Sequence, residues 1–201
     1  MAISTINQAG LNAPLTLTSP VLTTPTISTG AILNSSGRPM VNQTGCILQI
    51  VQAVKTDTFT TTSASYVDVT GLSVTITPSS TSSKILVTYS LQFSGITDSY
   101  GAATFVRNGS IVVAGTSATG NQTNVTTALA TGSSGNWDYK LQTSQFEYLD
   151  SPATTSALTY KVQVKVTYSS RQVNINGPYS TDNYAYSNFG VSTITVKEIA
   201  G

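Results

Sequence analysis

Histidine is absent from this chain of 201 residues, and cysteine occurs only once. The absence of histidine removes the commonest general base and the commonest metal ligand from any candidate active site. A single cysteine, Cys46, excludes an intrachain disulfide. We expect Cys46 to be a small residue in or near the core, and not a reactive thiol, because unpaired cysteines are among the most buried residues.

Charge is also scarce, because charged residues make up only 8% of the chain, about a third of the usual share. Nine Lys and Arg residues with a net charge of +1 do not supply the basic face of a nucleic-acid-binding protein. No run of 18 apolar residues exists, which predicts no membrane span. The first residues lack the basic and apolar regions of a signal peptide. We therefore expect neither a nucleic-acid partner nor a membrane partner.

The few carboxylates are the remaining candidates for catalysis. They are Asp57, Asp68, Asp98, Asp138, Glu147, Asp150, Asp182 and Glu198. Only Glu147 and Asp150 are close in sequence, before Pro152, and a glycosidase-like pair could still assemble in three dimensions. We expect these carboxylates to be solvated turn residues instead. Since phosphate-loop, metal-spacing and nucleophile-elbow motifs are also missing, the sequence predicts a non-enzymatic protein without cofactor or metal.

Serine and threonine take the place of charge, with 27 Ser and 34 Thr residues. Threonine favours strands, and short Thr, Ser, Val and Ile runs separated by Gly and Asn predict an all-β fold. The predicted strands cover 47–55, 58–62, 66–69, 72–76, 84–93, 125–130, 137–148, 158–167 and 191–199, with a hairpin over 103–114. Their alternation on two faces predicts an antiparallel β-sandwich of jelly-roll type over residues 47–201.

Two of these segments carry more specific predictions. In the first strand, we expect Leu48, Ile50 and Gln52 on one face, with Val51 and Val54 nearer the other. In the hairpin, Asn-Gly at 108–109 lies between two β-prone runs, which is the strongest short-range signal for a two-residue turn.

Residues 17–32 repeat every five residues. The apolar members are Leu17, Leu22, Ile27 and Ile32, and Pro20, Pro25 and Gly30 follow the first three at a fixed distance. This period fits neither a helix nor a simple strand, and proline is excluded from the interior of both. Residues 1–46 therefore predict an extended arm that docks on a partner surface or on copies of itself through these apolar side chains.

A stretch rich in Tyr and Asn, residues 179–188, is the second candidate for binding. Tyr179, Asp182, Asn183, Tyr184 and Tyr186 combine flat apolar rings with directional hydrogen-bonding groups, as in sugar recognition. The same composition also suits a subunit interface or a loop packed on its own sheet. The sequence leaves these three interpretations open.

Three segments resemble structural proteins of tailed bacteriophages. QIVQAVKTDTFTTT (49–62) and DVTGLSVTITP (68–78) are similar to a β-domain of such proteins, and LTSPVLTTPTI (17–27) resembles the Thr/Pro-rich leaders that precede it. The resemblance implies a location in the virion, after assembly in the bacterial cytoplasm. It also implies a trimer that attaches to the particle through its N-terminal part.

These observations favour a homotrimeric capsid decoration (cement) protein or short surface fibre. Its arm would anchor it to the major capsid protein or to a tail or neck protein. The alternative is a tail-fibre adhesin whose β-domain binds a glycan of the host surface, and a glycan array separates the two. An enzyme acting on polysaccharide is the weakest hypothesis, because it needs a carboxylate pair.

Overall fold

A computed structural model describes residues 44–96, 98–132, 139–168, 171–180 and 182–201. The strands are β1 (Ile47–Lys55), β2 (Phe59–Thr61), β3 (Val67–Ile76), β4 (Lys84–Ser94), β5 (Tyr100–Arg107), β6 (Ser110–Ile111), β7 (Thr127–Ala130), β8 (Gln142–Asp150), β9 (Leu158–Val166), β10 (Val173–Ile175) and β11 (Ser192–Ile199). Within these ranges, no helix has the length and apolarity needed to cross a membrane. Most of the predicted arm, residues 1–43, lies outside the described residues.

The strands form two sheets in which every pair is antiparallel. In the first sheet the order is β1-β11-β4-β8. The short strand β10 pairs with the last residues of β4, and β2 pairs with β10. In the second sheet the order is β3-β9-β5-β7, and β6 pairs with the far end of β5.

The pairing follows the jelly-roll pattern. The pairs β1·β11, β3·β9, β4·β8 and β5·β7 nest inside one another like the arms of one long hairpin. Contacts of β11 with β4 and of β9 with β5 then roll this hairpin into two sheets, which is the double-sheet arrangement of a jelly roll. The predicted all-β sandwich of jelly-roll type is confirmed.

The core lies between the sheets and follows the predicted alternation. On β4, Ile85, Val87, Tyr89 and Leu91 are fully buried, and the apolar side chains of β9 alternate with polar ones in the same way. The ring of Phe105 on β5 meets Tyr89 edge-on, with 6.0 Å between ring centroids. Each such side chain contributes about 1.5–3 kcal/mol by leaving water, so burial between the sheets is a major source of the stability of the sandwich.

Two elements differ from the predicted strands. Residues 66–69 and 72–76, predicted as separate strands, belong to the single strand β3, because Gly71 at φ +88° absorbs a register shift. The predicted polar stretch from residue 169 contains β10, a buried strand that pairs with β2 and β4. β10 has only three residues, which are too few for an alternating pattern to reveal a strand in the sequence.

The predicted faces of β1 are correct in placing Ile50 and Gln52 opposite Val51, and wrong for Val54, which shares the outer face with Ile50. Val51 and Ala53 pack against the core, whereas Ile50 and Val54 point away from it and are 58% and 53% exposed. Side chains alternate along a strand, so positions of odd and even number cannot share a face. The outer face of β1 therefore carries two exposed aliphatic side chains.

The hairpin prediction is confirmed. Asn108 and Gly109 have φ of +49° and +88°, and Arg107 pairs with Ser110 across the turn. This is the two-residue turn with both central residues at positive φ. Asn108 also accepts a hydrogen bond of 2.9 Å at its Oδ1 from the N–H of Thr159, which ties the turn to β9.

Three polar side chains lie where the sequence did not place them. Cys46 is exposed and not near the core, because it precedes β1, where its C=O accepts from the N–H of Ala200 at 2.8 Å. Asp150 and Glu198 are buried and are not solvated turn residues. Asp150 pairs with Arg107 and accepts a 2.6 Å hydrogen bond from the Tyr160 hydroxyl. Buried carboxylates require such partners.

Candidate functional site

The long connection from β10 to β11 carries the predicted binding residues, and its two ends are fixed together. Asn176, fully buried at φ +64°, accepts at its C=O from the N–H of Gly190 at 2.9 Å. Its side-chain amide donates to the C=O of Lys55 at 2.7 Å and accepts from Ser192 Oγ at 2.6 Å. The aromatic residues between Asn176 and Gly190 thus project from a closed base.

A cluster of three tyrosines lies on this surface. Tyr184 and Tyr186 are stacked, with centroids 4.9 Å apart and an interplanar angle of 11°. The ring of Tyr139, which precedes β8, meets both edge-on at 5.7 and 5.2 Å. Tyr184 and Tyr186 remain about half exposed, so the cluster presents apolar ring surface to its surroundings.

Asp182 holds the cluster in place. Its Oδ2 accepts hydrogen bonds of 2.9 Å from the hydroxyls of Tyr139 and Ser180. Its backbone C=O accepts from the N–H of Tyr184 at 2.8 Å and from Ser187 Oγ at 3.0 Å. These bonds make Asp182 an organiser of the loop. Asn183, the other predicted polar residue, is exposed beside it.

A groove of about 170 Å³ lies beside the loop. Tyr179 and Phe189 contribute aromatic rings to its lining, and the polar lining residues are Thr58, Thr60, Gln172 and Asn174. Gly177 also lines it, where a Cβ would lie 2.8 Å from Thr58 Cγ2 and 3.3 Å from Phe189 Cε1. Only glycine allows the Phe189 ring to approach the backbone here.

The structure thus brings the predicted residues together on one loop and adds two that the sequence analysis missed. Tyr139 is distant in sequence, and no local pattern links it to Tyr184 and Tyr186. Phe189 is 64% exposed, and a large apolar residue at the end of a polar stretch was its only sequence signal. The predicted anchoring residues Leu17, Leu22, Ile27 and Ile32 lie outside the described residues.

The carboxylates do not form a catalytic pair on β8. Glu147 is exposed and accepts a 2.9 Å hydrogen bond from Thr88, while Asp150 points into the sandwich towards Tyr160. Positions 147 and 150 lie on opposite faces of the strand. Among the described residues, no group of three His, Cys, Asp or Glu side chains could hold a metal ion.

Comparisons with known proteins find similarity among solved structures. No family model matches the chain, and no curated protein matches it. Among solved structures, the chain is similar to a chain in the 2.6 Å structure of T=1 particles derived from infectious bursal virus, with a TM-score of 0.41 and 13% identity. The match covers 89% of this chain and 42% of that one, so this chain spans less than half of that chain's length.

Proposed function

We propose that this protein is a non-enzymatic structural component of a virion, a homotrimer that decorates the capsid or forms a short surface fibre. The outer face of β1 supports a contact between copies. Ile50 and Val54 are more than half exposed there, and β11 is the only described strand that pairs with β1. An edge strand with exposed aliphatic side chains is a site for association.

The attachment to the particle is assigned to the arm. Residues 49–62 and 68–78 resemble the β-domain of tailed-phage structural proteins, and residues 17–27 resemble its leader. Leu17, Leu22, Ile27 and Ile32 would then contact the major capsid protein or a tail or neck protein. Burying each of these side chains contributes about 1.5–3 kcal/mol, and three arms in one trimer add avidity.

Light scattering on the purified protein tests the trimer. We expect three times the chain mass of 21.0 kDa, because association removes the β1 side chains from water. The double substitution Ile50→Ser and Val54→Ser is expected to give the monomer mass. Leu149→Ser is the matched control, since Leu149 is an exposed aliphatic residue on β8 at the opposite edge of the sheet. A monomer mass for the unsubstituted protein would refute the proposal.

A further inference from the structure

We propose that the groove between Tyr179 and Phe189 binds a neutral hexopyranose ring of a glycan. Its lining combines exposed aromatic surface with uncharged polar groups. All eight described residues that line the groove are uncharged, which matches a ligand with hydroxyl groups and no charge. This site is independent of the proposed assembly role, because it involves neither β1 nor the arm.

The aromatic lining supplies the apolar half of the recognition. Phe189 is 64% exposed, more than any other large hydrophobic residue in the described ranges, and Tyr179 is 36% exposed. A pyranose ring has apolar C–H faces that pack on aromatic rings, and burying part of a Phe or Tyr ring is favourable. Phe189 lies close to the backbone of Gly177, which supports its ring on one side.

The polar lining supplies the directional half. Asn174 is almost fully buried, and its Oδ1 accepts hydrogen bonds from Thr60 Oγ1 at 2.9 Å and from Gln172 Nε2. Both donors are oriented by this shared acceptor. No described residue donates to Gln172 Oε1, and Thr60 Oγ1 keeps acceptor capacity. Both oxygens can therefore accept hydrogen bonds from sugar hydroxyl groups.

The dimensions and stiffness of the groove favour a single sugar residue. A volume of about 170 Å³ is below the range of about 300–1,000 Å³ typical of larger ligands. The closure of the loop between Asn176 and Gly190 lowers the conformational entropy lost on binding. We infer a terminal or branching hexose of a surface glycan as the occupant.

Saturation-transfer NMR with the methyl glycosides of glucose, galactose and mannose tests the site on the full chain. We expect transfer to the C–H protons of at least one glycoside, and a glycan array then extends its identity. Phe189→Ala and Tyr179→Ala should each weaken binding at least about tenfold, a loss typical of one good contact. Thr60→Val should also weaken binding, because it removes the hydroxyl acceptor and leaves both aromatic rings in place.

Tyr168→Ala is the matched control. Tyr168 is an exposed tyrosine outside the groove lining and outside the loop that carries Tyr179 and Phe189. This variant should bind as the unsubstituted protein does, with melting temperatures recorded for all variants. Absence of transfer to all three glycosides, or undiminished binding by folded Phe189→Ala, would overturn the proposal. Light scattering on the same samples reports the assembly separately, so failure of one proposal is distinguishable from failure of the other.

Discussion

Glu198 is a buried carboxylate whose charge is kept by hydrogen bonds. Burial raises its pKa, but donors from Gln49, Ser79 and Ser83 outweigh this effect and hold the pKa at about 2, below its ordinary value of 4.5. The Ser79 N–H and hydroxyl and the Ser83 hydroxyl each donate at 2.7 Å. The carboxylate therefore joins β11 to β1 and to the loop before β4.

The lowered pKa predicts a loss of stability in acid. A group with a depressed folded pKa stabilises the fold above its unfolded pKa and loses this contribution as pH falls, here from about 4.5 towards about 2. Glu198→Gln should lower the free energy of unfolding at pH 7 by about 1–3 kcal/mol and flatten its dependence on pH across this window. Urea unfolding at several pH values measures both.

The control for this variant is Glu147→Gln, which removes the same charge from the exposed face of β8. It separates the effect of net charge from that of the buried hydrogen bonds. If Glu198→Gln and the unsubstituted protein lose stability in parallel between pH 4.5 and pH 2, the assignment to Glu198 is wrong.

At the scale of elements, the β5–β6 hairpin depends on one glycine. Gly109 has φ +88°, and a Cβ there would meet nothing within 4 Å, so backbone strain alone opposes another residue. Gly109→Ala should therefore lower the free energy of unfolding by about 1 kcal/mol. Gly115→Ala is the control, because Gly115 shows no positive φ and has only ordinary contacts around its Cβ position. Equal urea midpoints for the two variants would contradict the two-residue turn.

At the scale of the whole molecule, the sandwich and the arm are expected to divide stability and attachment between them. Among the residues that the structure describes, every strand pair joins residues from 47 onwards, and the buried hydrophobic residues begin at Val69. Deleting residues 1–33 should therefore leave the thermal unfolding of the sandwich unchanged, as followed by circular dichroism. The same deletion should abolish co-sedimentation with particles, because it removes Leu17, Leu22 and Ile27, which we propose to contact the particle.

The full-length triple substitution of these three residues by Ser controls for chain length and should reproduce the loss of attachment. Particles fully occupied by the truncated protein would instead place the anchor in the sandwich. A lower melting temperature after truncation would show that the first 33 residues contribute to the folded domain.

The sequence by itself determined the features that depend on neighbours along the chain. Alternation of apolar and polar residues in β4 and β9 predicted their buried faces, because successive side chains of a strand point to opposite faces of the sheet. Asn-Gly at 108–109 predicted its turn, because few other pairs tolerate two positive φ angles. The short run of β10 was too brief for such a signal.

Only the tertiary structure decided the features that join distant parts of the chain. The groove combines Thr60 with Gln172 and Phe189, and the tyrosine cluster combines Tyr139 with Tyr184. The burial of Glu198 likewise depends on donors from β1 and from the loop before β4. In a jelly roll, strands that are far apart in sequence pair with one another. Strand order and register therefore determine which side chains meet, and no local sequence pattern specifies either of them.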